Sequence, residues 1–309
     1  MEKKILFLAL FFIVCPFLTS RLLYAATILT FTVSPTSVTF ADQDPDSYGQ
    51  VTSSPSVSVT ISVRQLTASQ NWTLQIEANT DLVSGGNTIP AGNIGWTVTG
   101  SGTPTPTFYN GTLVKGSYLT AGQGPGQGNG RADITATFYF VLQNYWSYST
   151  GNYSGTVALT LTVPGATAQT QTITLSTNIA SRAKLTFGLY TMNFPDANPD
   201  TVPSNPANVN PLSVTSSTRT GSSQTVTLTC LATGDLISGT NTISISNMTW
   251  TATGTGYVSG TMNRTTAQTA GSWTASGQRI GTFSYFLVNS WSYIVGSYST
   301  SIGYTLTAP

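Results

Sequence analysis

Asp81-Leu-Val-Ser-Gly-Gly-Asn-Thr-Ile89 and Asp235-Leu-Ile-Ser-Gly-Thr-Asn-Thr-Ile243 are one motif written twice. The match runs on without a gap to Trp96-Thr-Val-Thr-Gly100 and Trp250-Thr-Ala-Thr-Gly254. About 13 of the 22 positions from Asp81 to Gly102 are identical at a shift of 154, far above chance. Upstream, Phe40-Ala-Asp42-Gln-Asp44-Pro45-Asp46 answers to Phe194-Pro-Asp196-Ala-Asn198-Pro199-Asp200, and Leu29-Thr-Phe31 to Leu185-Thr-Phe187. Downstream, Asn144-Tyr-Trp146-Ser-Tyr148, Gly151 and Tyr153 answer to Asn289-Ser-Trp291-Ser-Tyr293, Gly296 and Tyr298, now at a shift of 145. The difference is assigned to the Gly-rich stretch 121–130, read as an insertion in a surface loop of the first copy. The chain is therefore a tandem duplication, 26–164 and 183–309, with 165–182 as a linker or extra strand. A period above 120 residues makes each copy a whole domain, not a solenoid repeat.

Each copy reads as β. Val57, Val59, Ile61 and Val63 alternate with polar residues, as do Trp72, Leu74, Ile76 and Ala78. Val226, Leu228, Cys230 and Ala232 repeat the second series, and Ile302, Tyr304 and Leu306 answer to Val157, Leu159 and Leu161. A period of two puts one face in a core and a Thr-rich face in water. Threonine is β-branched and polar, so it suits that wet face. No segment sustains a helical period. The expected fold is all-β: two tandem Ig-like antiparallel β-sandwich domains. Within 165–182, Gln171-Thr-Ile173-Thr-Leu175 alternates like a strand that either forms a hairpin with 155–163 or joins the second domain.

The N-terminus reads as a cleaved signal peptide, residues 1–25. Lys3 and Lys4 precede the apolar run Ile5 to Val14, which is too short to span a bilayer, and Ala25 offers a small residue for cleavage. The mature chain keeps one cysteine, Cys230, so it has no internal disulfide. It is expected outside the cytoplasm, secreted, periplasmic or on the cell surface, with no membrane span. Among 309 residues, 7% are charged, none is histidine and the net charge is +1. That excludes the commonest general base and leaves no electrostatic footprint for nucleic acid.

Two motifs bear on chemistry. Asp42, Asp44 and Asp46, and Asp196, Asn198 and Asp200, sit at alternate positions, as oxygen ligands of Ca²⁺ often do. The EF-hand Gly and Glu are missing, so a turn in which Asp and Asn bond their own backbone competes with that reading. No other cofactor is implied. Trp146, Tyr148, Trp291 and Tyr293 form an aromatic set suited to stacking on sugars. The alternative is structural, with Gly-x-Tyr at Tyr153 and Tyr298 pinning a sandwich corner. Cys230 stands where the first copy has Ile76, as a small core residue. No acid–base constellation recurs in both copies, so the chain is not read as an enzyme.

Leu185-Thr-Phe187-Gly188, Asp200-Thr-Val-Pro203 and Val226-Thr-Leu-Thr-Cys230 resemble the opening of spore coat protein U and pilin-like β-sandwich modules. Trp72-Thr-Leu74 with a closing Thr-Leu-Thr-x-Pro is similar to the WxL surface modules. The resemblance implies an exported bacterial surface or fibre protein. The first expectation is a non-catalytic structural protein that associates, with itself or with other surface proteins, through β-strand edges. Either the segment Thr27 to Val33 or the 171–176 strand is expected to complete a sheet. The alternative is an adhesion module binding cell-wall or other glycans through exposed aromatics.

Overall fold

The computed structural model describes residues 28–64, 66–128 and 130–309. The signal segment 1–25 and Thr27 lie outside the described residues. The chain forms two tandem antiparallel β-sandwiches of Ig-like type, in the order the duplication requires. In the first, one sheet runs Ile28–Ser34, Val57–Arg64, Arg131–Gln143, Ile94–Thr103 and Gly111–Thr112. The facing sheet runs Ser37–Phe40, Gln169–Ile179, Gly151–Thr162, Asn71–Ala78, Leu119–Pro125 and Thr107–Phe108. The alternating residues meet between them: Val57, Val59, Ile61, Trp72, Leu74, Ile76, Leu159 and Leu161 are all buried.

In the second copy, Arg182–Phe187, Leu212–Arg219, Gly277–Val288, Met248–Thr253 and Gly260–Thr261 form one sheet. Gln268–Thr274, Thr225–Ala232 and Ile302–Thr307 form the other. Cys230 lies in this core, and burial pushes its thiol up to about 11, the behaviour of an inert small hydrophobe. The ladders align the copies. Phe138 pairs with Val57 and Val98, while Phe283 pairs with Leu212 and Ala252. Val57 thus corresponds to Leu212 and Phe31 to Leu185, so the two Leu-Thr-Phe runs are offset by two residues.

Segment 165–182 is not a tether. Gln169–Ile179 forms a hairpin with Gly151–Thr162, and its far edge takes Ser37–Phe40 in the fold's one parallel pair among the described strands. Ile173, Leu175 and Ile179 point into the first core. The segment from Ile28 does complete a sheet, along Val57–Arg64. Among the described residues no strand takes the place of Gln169–Ile179 in the second copy. The outer edge of Ile302–Thr307 carries no strand among the described residues, and residues 191–194, the counterpart of Ser37–Phe40, form no ladder. Tyr304 and Leu306 are consequently only half-buried, where Leu159 and Leu161 are fully buried.

The Gly-rich stretch corrects the loop expectation. Residues 121–125 lie inside strand Leu119–Pro125. A Cβ on Gly122 would come within 2.6 Å of the Phe108 ring, and one on Gly124 within 2.9 Å of the Trp72 indole. The glycines are there because aromatic rings pack on the bare backbone.

Truncating a side chain that the hairpin strand contributes to the core has a calculable cost. Ile173→Ala is expected to destabilise the first sandwich by about 2–5 kcal/mol. Leu306→Ala, on the uncovered edge, costs less than half as much, and urea unfolding of both variants measures the contrast.

Candidate functional site

Strand Leu212–Arg219 ends in a run of buried polar residues, Ser216 to Thr220. Ser216 is buried within its own sandwich, where it accepts from the Tyr257 hydroxyl, whereas Arg219 and the Thr220 carbonyl are met by the first copy. Arg219 is the centre of the contact. Its side chain points out of its own sheet, yet it is fully buried. Nη1 donates to Asp42 Oδ1 at 2.8 Å and to the Gln43 carbonyl at 3.4 Å. Nη2 donates to Asn144 Oδ1 and, with Nε, to the Tyr145 carbonyl at 2.9 and 3.2 Å. The guanidinium carbon lies 6.0 Å from the Trp146 ring centroid, within cation–π range. A planar fork with fixed donors suits such a set of acceptors, and an ammonium does not.

Two further cations complete the junction. Arg182 Nη2 donates to Asp42 Oδ2 at 3.2 Å, so both oxygens of that carboxylate are engaged. Lys184 pairs with Asp46 Oδ2, and the Trp146 indole N–H donates to Asp46 Oδ1 at 2.8 Å. The Thr150 N–H donates to the Thr220 carbonyl at 3.0 Å, closing the contact through the backbone. Burial pulls the Arg219 pKa down and the Asp42 charge opposes that shift. The Lys184 ammonium, then the Trp146 indole, hold Asp46 below its ordinary 3.8.

The acidic motif and the aromatic motif, separate in the sequence, thus meet in one site. Asp44 builds the turn: its Oδ1 accepts the Asp46 N–H at 2.9 Å and its carbonyl accepts the Ser47 N–H at 3.1 Å. Asn198 does the same for Asp200 at 2.9 Å. The Ca²⁺ reading does not fit the first copy, where the outward carboxylate oxygens already face three cations. Among the described residues no group of three or more metal-ligating side chains comes together. Asp196 is exposed and stands apart from any ion pair among the described residues.

The aromatic set is tied into the fold in both copies. Trp146 bonds Asp46, and Trp291 bonds Asp200 at 3.0 Å. Asn93 donates to the Tyr148 hydroxyl, and Asn247 to that of Tyr293, each at 3.0 Å. Burial pushes Tyr148 up to about 12. Tyr153 and Tyr298 donate to the carbonyls of Ser149 and Ile294, four residues back, as corner tyrosines do. The exposures differ sharply: Trp146 is 8% exposed beneath Arg219, whereas Trp291 is 70% exposed. Tyr148 is buried and Tyr293 half-buried. Of the four candidate stacking residues, Trp291 is the one that offers a free ring face. The sequence reading missed Arg182, Lys184 and Arg219. Their only signal was charge in a chain that has little of it.

No family model matches the chain, and no curated protein matches it. Among solved structures it is similar to the chaperone–tip adhesion subunit pre-assembly complex from the archaic chaperone-usher Csu pili of Acinetobacter baumannii. Identity there is 10% over 90% of this chain and 99% of that chain, with a TM-score of 0.34. It is also similar to the CupB6 tip adhesin from Pseudomonas aeruginosa, at 7% identity over 92% and 95% of the two chains and a TM-score of 0.31. A family 123 glycoside hydrolase from Clostridium perfringens is similar over 49% of this chain and 27% of that one, at 11% identity and a TM-score of 0.29. No helix among the described residues is long and apolar enough to cross a membrane.

Removing Arg219 leaves Asp42 to Arg182 alone and takes the donor from Asn144 Oδ1 and the Tyr145 carbonyl. Arg219→Met is expected to cost about 1–3 kcal/mol, the usual penalty for leaving a buried acceptor unpaired. The variant also opens Trp146 to acrylamide quenching. Acid has a weaker effect of the same sign. A carboxylate held below its ordinary pKa stabilises the fold above that value and stops doing so as pH falls through the folded pKa. Trp146 quenching is therefore expected to rise on acidification below pH 3.8, the ordinary value for Asp46, and Asp46→Asn removes that step.

Proposed function

We propose that the chain is an exported, non-catalytic structural protein of the cell surface that associates by strand addition, and that the receiving edge is Ile302–Thr307. One observation carries the reading. The same edge in the first copy is filled by the chain's own Gln169–Ile179, while in the second no strand among the described residues fills it. An uncovered strand offers unpaired N–H and C=O groups, and an added strand satisfies them. Partly exposed Tyr304 and Leu306 add apolar surface that such a strand would cover.

The first copy supplies the register. Ile173 faces Val157, Leu175 faces Gly155 and Ile179 faces Gly151. The corresponding positions in the second copy are Ile302, Thr300 and Gly296. A strand that suits the edge runs antiparallel to it, with apolar residues at alternate positions. The low charge supports the same reading, because charged edge residues are a common device against pairing and this edge has none. The partner is another surface protein or a second copy, and the basic, apolar N-terminal segment supports export.

A synthetic peptide of Gln169–Ile179, added to the full chain, tests the reading directly. It is expected to bind and to slow hydrogen exchange of the 302–307 amides. The same peptide with Ile173→Asp and Leu175→Asp is expected not to bind. Unchanged exchange at 302–307 with the parent peptide at saturation would sink the strand-edge proposal.

A further inference from the structure

The junction between the copies has a second, uncovered edition at the far end of the molecule. Each group of the first copy that holds Arg219 has its counterpart in the second. Asp196 stands for Asp42, the Ala197 carbonyl for Gln43, Asn289 for Asn144, the Ser290 carbonyl for Tyr145, and Trp291 for Trp146. The geometry is kept as well. The Asn144 amide donates to the carbonyls of Gln43 and Tyr48 and so aims its Oδ1 at Arg219. The Asn289 amide donates to the carbonyls of Ala197 and Val202 at 2.9 and 3.1 Å. Its Oδ1 is thereby left outward, with no donor among the described residues. Trp291 is held by Asp200 as Trp146 is by Asp46. Val295, the counterpart of Thr150, is 98% exposed. Acceptors, aromatic face and backbone N–H are all in place at this tail of the molecule, with no arginine of the described residues on them.

The opposite end of the chain presents the matching group. Val57–Arg64 and Leu212–Arg219 are corresponding strands, so Arg64 occupies the position of Arg219. Arg64 closes its strand opposite Ile28, as Arg219 does opposite Arg182. It points out of the same face of its sheet and is exposed. Arg131 pairs with Arg64 in the ladder, where the second copy has Ser276, and Arg131 is bridged to Asp133 at 2.6 Å, so two cations and one carboxylate stand at this head with a net positive charge. The tail carries Asp196 and Asp200.

We infer that Asp196, Asn289 and Trp291, with the carbonyls of Ala197 and Ser290, form an arginine receptor whose ligand is Arg64 of a second copy of this chain. The contact repeats the arginine part of the internal junction between molecules; Ile28 and Thr30 hold the positions of Arg182 and Lys184 at the head, so those two ion pairs are not repeated. Head and tail are different surfaces, so the contact is heterologous and leaves a free head and a free tail on each dimer for further growth. It does not depend on the strand-edge reading. Within one chain the junction enjoys an effective concentration of about 1 mM, an advantage that the contact between chains lacks, so it is sought up to high protein concentration.

The mature full-length chain is to be followed by sedimentation velocity at low salt, from about 10 µM to about 1 mM. Growing oligomers are expected, with Trp291 quenching falling from that of a 70% exposed indole toward that of the 8% exposed Trp146. Arg64→Met and Asp196→Asn change exposed side chains and leave the fold intact, which melting curves check. Each alone is expected to abolish growth. Mixed in equal amounts they keep one good head and one good tail, so they are expected to form dimers and stop there. Arg64→Lys is expected to weaken assembly, because the ammonium lacks the fork. A chain that stays monomeric up to the highest concentration overturns the inference. So does assembly indifferent to Arg64→Met. If saturating Gln169–Ile179 peptide dissolves the oligomers while Arg64→Met does not, the strand edge is the contact and the receptor falls. The reverse result upholds the receptor and removes the strand edge from self-association.

Discussion

A fully buried guanidinium is the constraint on which the arrangement of the two copies depends. Taking an arginine out of water costs several kcal/mol unless its charge and its donors are met. Arg219 meets Asp42, Asn144, two carbonyls and the Trp146 face, and each of these belongs to the first copy. The residue is therefore stable only when the copies are docked in one geometry. The acidic turn and the Asn-Tyr-Trp loop hold that geometry from the other side, since Trp146 and Asn144 are tied back to the 43–48 turn. A duplicated motif has become a socket in one copy and a bare surface in the other.

Ownership of a single strand makes the second asymmetry. Gln169–Ile179 completes the first sandwich and then leads, through residues 180 and 181, straight into Arg182–Phe187. It both fills a core and fixes where the next copy begins. The second copy compensates for its thinner sheet with aromatic volume. Tyr304 stands where the first copy has Leu159, stacks on Phe283 at 6.1 Å between centroids and shares a 2.7 Å hydroxyl hydrogen bond with Tyr285. Burial pushes Tyr285 up to about 12 and Tyr304 upward as well. These rings bury area that an aliphatic side chain on an open edge would leave wet.

Much of this was legible in the sequence, and what was not has physical causes. Period-two alternation placed Trp72, Leu74 and Ile76 in the core because a half-buried strand writes its faces into its residues. The corner tyrosines and Cys230 were legible by register between the copies. Arg219 was not. It sits on the outward face of a strand end, a position that reads as wet, and docking of the first copy makes that position dry. Gly122 and Gly124 read as loop because composition does not reveal that Phe108 and Trp72 lie over them. The acidic turn was legible as a turn, but its partners come from more than a hundred residues away.

Low charge then acquires a more specific meaning. A threonine-rich surface with few ions leaves strand edges free to pair, and pairing through backbone groups has little selectivity of its own. Selectivity has to come from the few charges present. Three of the ion pairs among the described residues, those of Arg182, Lys184 and Arg219, cross between the copies. Exposed ion pairs contribute little to stability, but a buried, forked pair set against a fixed carboxylate admits one orientation and penalises the rest. In a protein poor in charge, strand edges supply adhesion and arginine supplies register. The same division would govern any contact between chains, because Arg64 and Asp196 stand at opposite ends of a surface that otherwise offers almost no electrostatic direction.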